Sequence, residues 1–212
     1  MFAEAHPRVN AVETGLVVSA PPDEDGPQSA GREAIVDRPS VQAEMERAAA
    51  DLRSLTTQAS RADLRRASTG TRWTNEQLLF HMVFGYMVVR ALLPLVRLFD
   101  RLPDRAGRVF AGLLNAGRRP FHVVNYLGSC GGALVFRGPR LIRQMDRTVA
   151  ALRRKVDRET DEALGRTMHF PVEWDPFFHD RMTLLEVYHY GTQHFEFHRQ
   201  QLTLGPAVRG EG

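Results

Sequence analysis

Lysine is almost absent from this chain: Lys155 is the one lysine among 28 basic residues, and the rest are arginine. Cysteine is as scarce. Cys130 stands alone, which excludes an intrachain disulfide and fits a reducing compartment. Net charge is small. A formal +3 lacks the concentrated basic stripe that a nucleic-acid partner would require. A signal-peptide pattern is also lacking, because Glu4 comes early and no basic stretch leads into an apolar one. The expectation is a cytoplasmic protein without a nucleic-acid partner.

What is there suits one soluble domain. The 212 residues are 43% apolar and 25% charged. The arginine bias points to a GC-rich genome rather than to phosphate binding. One segment, Leu78 to Phe99, is greasy enough to raise a membrane span, but it carries His81, Arg90, Pro94 and Arg97. A central arginine costs roughly 2.5–3.5 kcal/mol in a bilayer, so a buried bundle helix is expected and no membrane partner.

Residues 1–38 read as a disordered tail, since PPDEDGPQSAGRE is rich in proline, glycine and acids. The domain spans 39–205, and 206–212 form a short C-terminal tail. A first helix starts near Ser40, as N-cap after Pro39, and runs to about Thr57, followed by a short turn at Arg61 to Arg66. The second starts at the capping box Thr74/Gln77 and reaches about Phe99, with a kink or break near Pro94. Residues 101–138 are an irregular insertion with one helical piece around 105–115. The third helix opens with Pro139 and continues to about Leu164. The segment HFPVEWDPFF is a packed loop. The fourth helix starts at the capping box Thr183/Glu186 and ends near Leu204, before Gly205 and Pro206. Four long helices without a confident strand predict an all-α four-helix bundle.

Histidines occupy the core seams of this arrangement. On the fourth helix Leu184, Val187, Gly191, His194, His198 and Gln201 share one stripe. On the second, Leu78, His81, Gly85, Val88 and Leu92 do the same. A buried imidazole must satisfy two ring nitrogens, and three of them need a shared reason. A divalent metal supplies one, because imidazole is a common ligand and the i, i+4 pair His194/His198 can chelate. His81 falls at the level of that pair only if the second and fourth helices are antiparallel. The long 101–138 connection permits this in an up-down-down-up bundle. Zinc is the first choice of metal, with nickel or iron as alternatives. HFEFH is not HExxH, so metalloprotease chemistry is not expected.

Other candidates are weaker. Gly-Ser-Cys-Gly-Gly at 128–132 has nucleophile-elbow logic around Cys130, but no good helix start follows, and Cys130 reads as a small packed residue. His122 and His169 fall in irregular segments, and His189 lies off the ligand face. Gly85 and Gly191 either leave room for a ligand or let helices pack closely.

RWTNEQLLFHM resembles the second-helix motif of the DinB-like superfamily, and HFEFHRQQL resembles its last-helix motif. The resemblance covers roughly residues 40–204. It implies metal positions at His81, His194 and His198, a motif glutamine at Gln201 and a helix-opening tryptophan at Trp73. The fold implied is the up-down-down-up bundle, here with a larger insertion between its second and third helices. Similar proteins include thiol-dependent S-transferases and isomerases that use bacillithiol, mycothiol or glutathione. The resemblance thus implies a thiol co-substrate and a small-molecule electrophile as partner, and the arginine-heavy composition favours mycothiol as the thiol. A non-catalytic metal-stabilised interaction or stress-response protein, or a metal-dependent hydrolase, are the competing expectations. A homodimer is compatible with all of them.

Overall fold

The computed structural model describes residues 36–204. Of the expected 1–38 tail, residues 1–35 lie outside the described residues, as does the whole of 206–212, and Arg38 already belongs to the first helix. The order of elements is α1 (Arg38–Gln58), α2 (Arg61–Arg65), α3 (Asn75–Phe99), α4 (Asp104–Ala116), α5 (Arg118–Val135), α6 (Pro139–Arg158), α7 (Asp161–Leu164), β1 (Thr167–His169), β2 (Arg181–Thr183) and α8 (Leu184–Arg199). The fold is all-α, with one small antiparallel ribbon pairing Met168 with Met182.

Local chemistry sets most boundaries. Thr74/Gln77 and Thr183/Glu186 form the expected capping boxes on α3 and α8. For α1 the expectation is corrected: Asp37 is the N-cap, and Ser40 is the N3 partner that answers it. Helix α6 stops at Arg158 instead of continuing to Leu164. Glu159 turns toward Arg97 and Tyr188, and Thr160 caps the separate α7. Helix α8 stops at Arg199 because Thr203 is drawn away to the start of α3, where its N–H donates to Asn75 Oδ1 at 3.0 Å. Pro94 sits on the exposed side of α3, and the helix continues through it without a break.

Residues 101–138 depart furthest from expectation. They are not irregular but two helices, and the glycine-dense stretch forms most of α5. That places Cys130 in mid-helix, so the strand–turn–helix setting of a nucleophile elbow does not exist. Gly132 lets α5 approach α3: a Cβ there would lie 2.1 Å from the Phe80 ring. The opposite side of α5 leaves Val123, Val124, Leu127, Leu134 and Val135 exposed.

The core lies between α1, α3, α6 and α8, with Met45, Leu52, Met82, Val89, Leu93, Met145, Leu152 and Leu184 fully buried. Each such side chain contributes about 1.5–3 kcal/mol of burial. The buried stripe of α3 runs through Val89 and Leu93 rather than Val88 and Leu92, because a 3.6-residue period drifts against a seven-residue reading. Helix α3 is long and apolar enough to cross a membrane by composition. Here it is the central helix, packed by α8, α5 and α6. Helices α3 and α8 run antiparallel: His81 faces His198, Gly85 faces His194, and Gly191 faces Tyr86 and Val89.

Candidate metal centre

The antiparallel contact of α3 and α8 gathers three imidazoles. One potential ligand atom from each of His81, His194 and His198 lies within 4.8 Å of the others. Their ring centroids are 4.5–4.9 Å apart. The residues are 5%, 4% and 9% exposed. Burial holds all three imidazoles neutral: it pushes His81 down to about 3, and His194 and His198 also fall below the usual value. The result is three lone-pair donors facing one another.

Neighbours decide which nitrogens are available. His81 Nδ1 meets Ser129 Oγ at 3.1 Å, and His198 Nδ1 donates to Gln201 Oε1 at 2.7 Å. Those bonds leave Nε2 of each ring for the shared centre. Among the described residues His194 makes no hydrogen bond. Its Nδ1 is buried and unpartnered, pressed against α3 where Gly85 has no side chain. A Cβ at Gly85 would lie 2.4 Å from that nitrogen. Gly85 therefore makes room for a ligand-bearing side chain, not for a substrate. Gly191 does the same for the Tyr86 ring, where a Cβ would fall 2.9 Å from ring carbons. Close packing is the role of both glycines.

Trp73 stacks on His81 at 4.3 Å and meets His198 edge-on at 6.3 Å. Tyr126 of α5 stacks beyond it, with Arg72 over its face. The structure thus brings Trp73, Gln201 and Gly85 to the trio, and leaves Gly191 beside Tyr86. His189 bonds Glu44 at 2.7 Å, away from the cluster. His169 is buried elsewhere, between Asp104 and Asp180, and borders a cavity of about 250 Å³ with Thr167 and Arg181.

Three residues at the site were not anticipated. Ser129 comes from α5, which the sequence reads as irregular; once α5 is a helix, Ser129 and Ala133 mark its inner face. Asp175 and Tyr190 form the side nearest His194. Asp175 Oδ2 lies 4.0 Å from His194 Nε2 and accepts from the Tyr190 hydroxyl at 2.9 Å. Burial raises the carboxyl above its ordinary range. A lone aspartate in an aromatic loop, WDPFF, was the available signal.

A family profile, that of the DinB superfamily, matches residues 44–202. The chain belongs to the DinB superfamily. The match runs from α1 to just beyond α8, so it takes in all three histidines and the α4–α5 insertion. No curated protein and no solved structure matches the chain. Superfamily membership and the three-histidine cluster together fit a metal-binding protein of this superfamily.

Proposed function

We propose that His81, His194 and His198 hold one divalent metal ion, zinc before nickel or iron, and that the protein uses it in thiol-dependent S-transfer from a mycothiol-type co-substrate to a small electrophile. The observation that carries the metal reading is His194. Among the described residues its ring makes no hydrogen bond and its Nδ1 is buried without a partner, so no hydrogen bond competes for the ring nitrogen that an ion shared with His81 and His198 would take. When bound, the ion would lower the pKa of a thiol or water that reaches it.

The chain's own residues do the rest. Ser129 and Gln201 fix two rings by their Nδ1 atoms, and Gly85 admits the third. Trp73 covers the His81 face and excludes water from it. Three nitrogen donors would leave a bound ion a further position open to thiol or water, the layout of a reactive rather than a closed site. That layout and membership of the superfamily support transfer chemistry. The test is to mix metal-loaded protein with mycothiol and a panel of electrophiles. The expected outcome is thiol consumption above the uncatalysed rate, abolished by His194→Ala. A rate equal to background across the panel sinks the transferase.

A second reading has its own support. The trio is nearly sealed, which suits a metal that stabilises a non-catalytic interaction or stress-response protein. That reading predicts a large metal-induced rise in melting temperature together with background rates.

A further inference from the structure

The three imidazoles are neutral donors. A divalent ion among them would keep its full charge beside residues that are 5%, 4% and 9% exposed, and a charge in such a setting is costly without an opposite one. The described residues hold a largely buried carboxyl group with the complementary problem. Asp175 lies in the loop between β1 and β2, its side chain 15% exposed. Oδ1 accepts from the Phe177 N–H at 3.0 Å, and Oδ2 from the Tyr190 hydroxyl at 2.9 Å. Both donors are neutral. Among the described residues no lysine or arginine pairs with this carboxylate; its charge-capable neighbours are members of the trio, His194 with Nε2 4.0 Å from Oδ2, and His198.

We propose that Asp175 is the charge-compensating carboxylate of the metal centre. This rests on the reading that the trio holds an ion. The arrangement is specific. Tyr190 and His194 are one turn apart on α8, so the same helix presents a ligand and the hydroxyl that aims the carboxylate toward it. The Phe177 N–H fixes the other oxygen, so the group is held before any ion arrives. Asp175 stands off the 4.8 Å histidine cluster. Its part is therefore to balance charge and to orient what surrounds the ion from the His194 side. Outer groups of this kind are worth about 10- to 100-fold in metal affinity.

The experiment compares wild type, Asp175→Asn, Tyr190→Phe and His194→Ala as full chains. It reads zinc affinity by chelator competition, the visible spectrum with cobalt, and the melting temperature with and without zinc. Asp175→Asn keeps the shape and an acceptor for Tyr190. It should weaken zinc 10- to 100-fold, alter the cobalt spectrum and shrink the zinc-induced shift in melting temperature. Without metal it should melt no lower than wild type, because an uncompensated buried charge has gone. A merely structural aspartate would instead lower the metal-free melting temperature and leave the zinc shift intact. Tyr190→Phe should weaken zinc by a smaller factor, and it covers the case in which Asp175→Asn fails to fold. Asp175→Asn that binds zinc like wild type, with an unchanged cobalt spectrum, overturns the proposal while the metal reading stands. Wild type that binds no better than His194→Ala overturns both.

Discussion

Two buried histidine environments in this molecule have opposite electrostatics. Among the described residues no carboxylate is in hydrogen-bond contact with the trio on α3 and α8, and desolvation holds its rings neutral. His169 is equally buried but lies between Asp104 Oδ1 and Asp180 Oδ1, both at 2.9 Å. Two carboxylate acceptors require a proton on each ring nitrogen, so His169 is raised above its usual value and carries charge. Burial alone therefore does not assign a histidine; the partners do. His169 is a cationic clamp that ties β1 to α4 and to the end of the loop before β2. The trio is a set of free lone pairs.

The largest test of this contrast removes one member of each. His194→Ala should abolish metal binding, while His169→Gln should leave metal stoichiometry unchanged; both are read by zinc titration. Loss of zinc in His169→Gln would erase the distinction.

Gly85→Ala comes next. Its Cβ would meet the His194 ring at 2.4 Å, and that ring is hemmed in by His81, His198 and Tyr190. Overpacking of this kind costs about 1–3 kcal/mol. The same displacement should weaken metal binding, so melting temperature and affinity fall together. An alanine variant that binds zinc normally would show that His194 has slack.

The pH dependence sharpens the contrast further, because the signs oppose. For the trio the folded pKa values lie below the unfolded value near 6.5. As pH falls below that value the unfolded chain binds more protons than the native one, so metal-free protein loses stability toward acid. Each group contributes at most about 1.4 kcal/mol per pH unit, and for His81 the loss continues to about pH 3. For His169 the folded value lies above 6.5. Its contribution is complete below that pH and is lost as pH rises through the folded value. Asp180 is 79% exposed, so screening keeps this contribution modest. Denaturant titrations from pH 4 to 9 should show an acid-side loss that zinc opposes, and an alkaline-side loss that disappears in His169→Gln. The smallest effect is expected for Ser129→Ala. It should weaken zinc about 10-fold without a large change in fold stability, since one outer hydrogen bond is removed.

The trio was readable from sequence because its information is local. Two capping boxes fix the start of α3 and α8, and a 3.6 period then puts His81, His194 and His198 on inward seams. What surrounds the trio was less readable. Helix α5 hides behind Gly128, Gly131 and Gly132, which lower helix propensity, and behind an exposed apolar side that blurs the periodic signal. Ser129 was hidden with it. His169 depends on carboxylates 65 and 11 residues away, and Asp175 on a tyrosine of another element. Such pairings have no local pattern. Gly85 was visible as an inward glycine, but only the position of the His194 ring shows what it accommodates.

The central claim is that the trio binds metal. The direct measurement is elemental analysis of purified wild type beside His81→Ala and His194→Ala, with circular dichroism to confirm that each variant is folded. One divalent ion per wild-type chain is expected, with a clear loss in both variants. Equal metal content in all three proteins would contradict it.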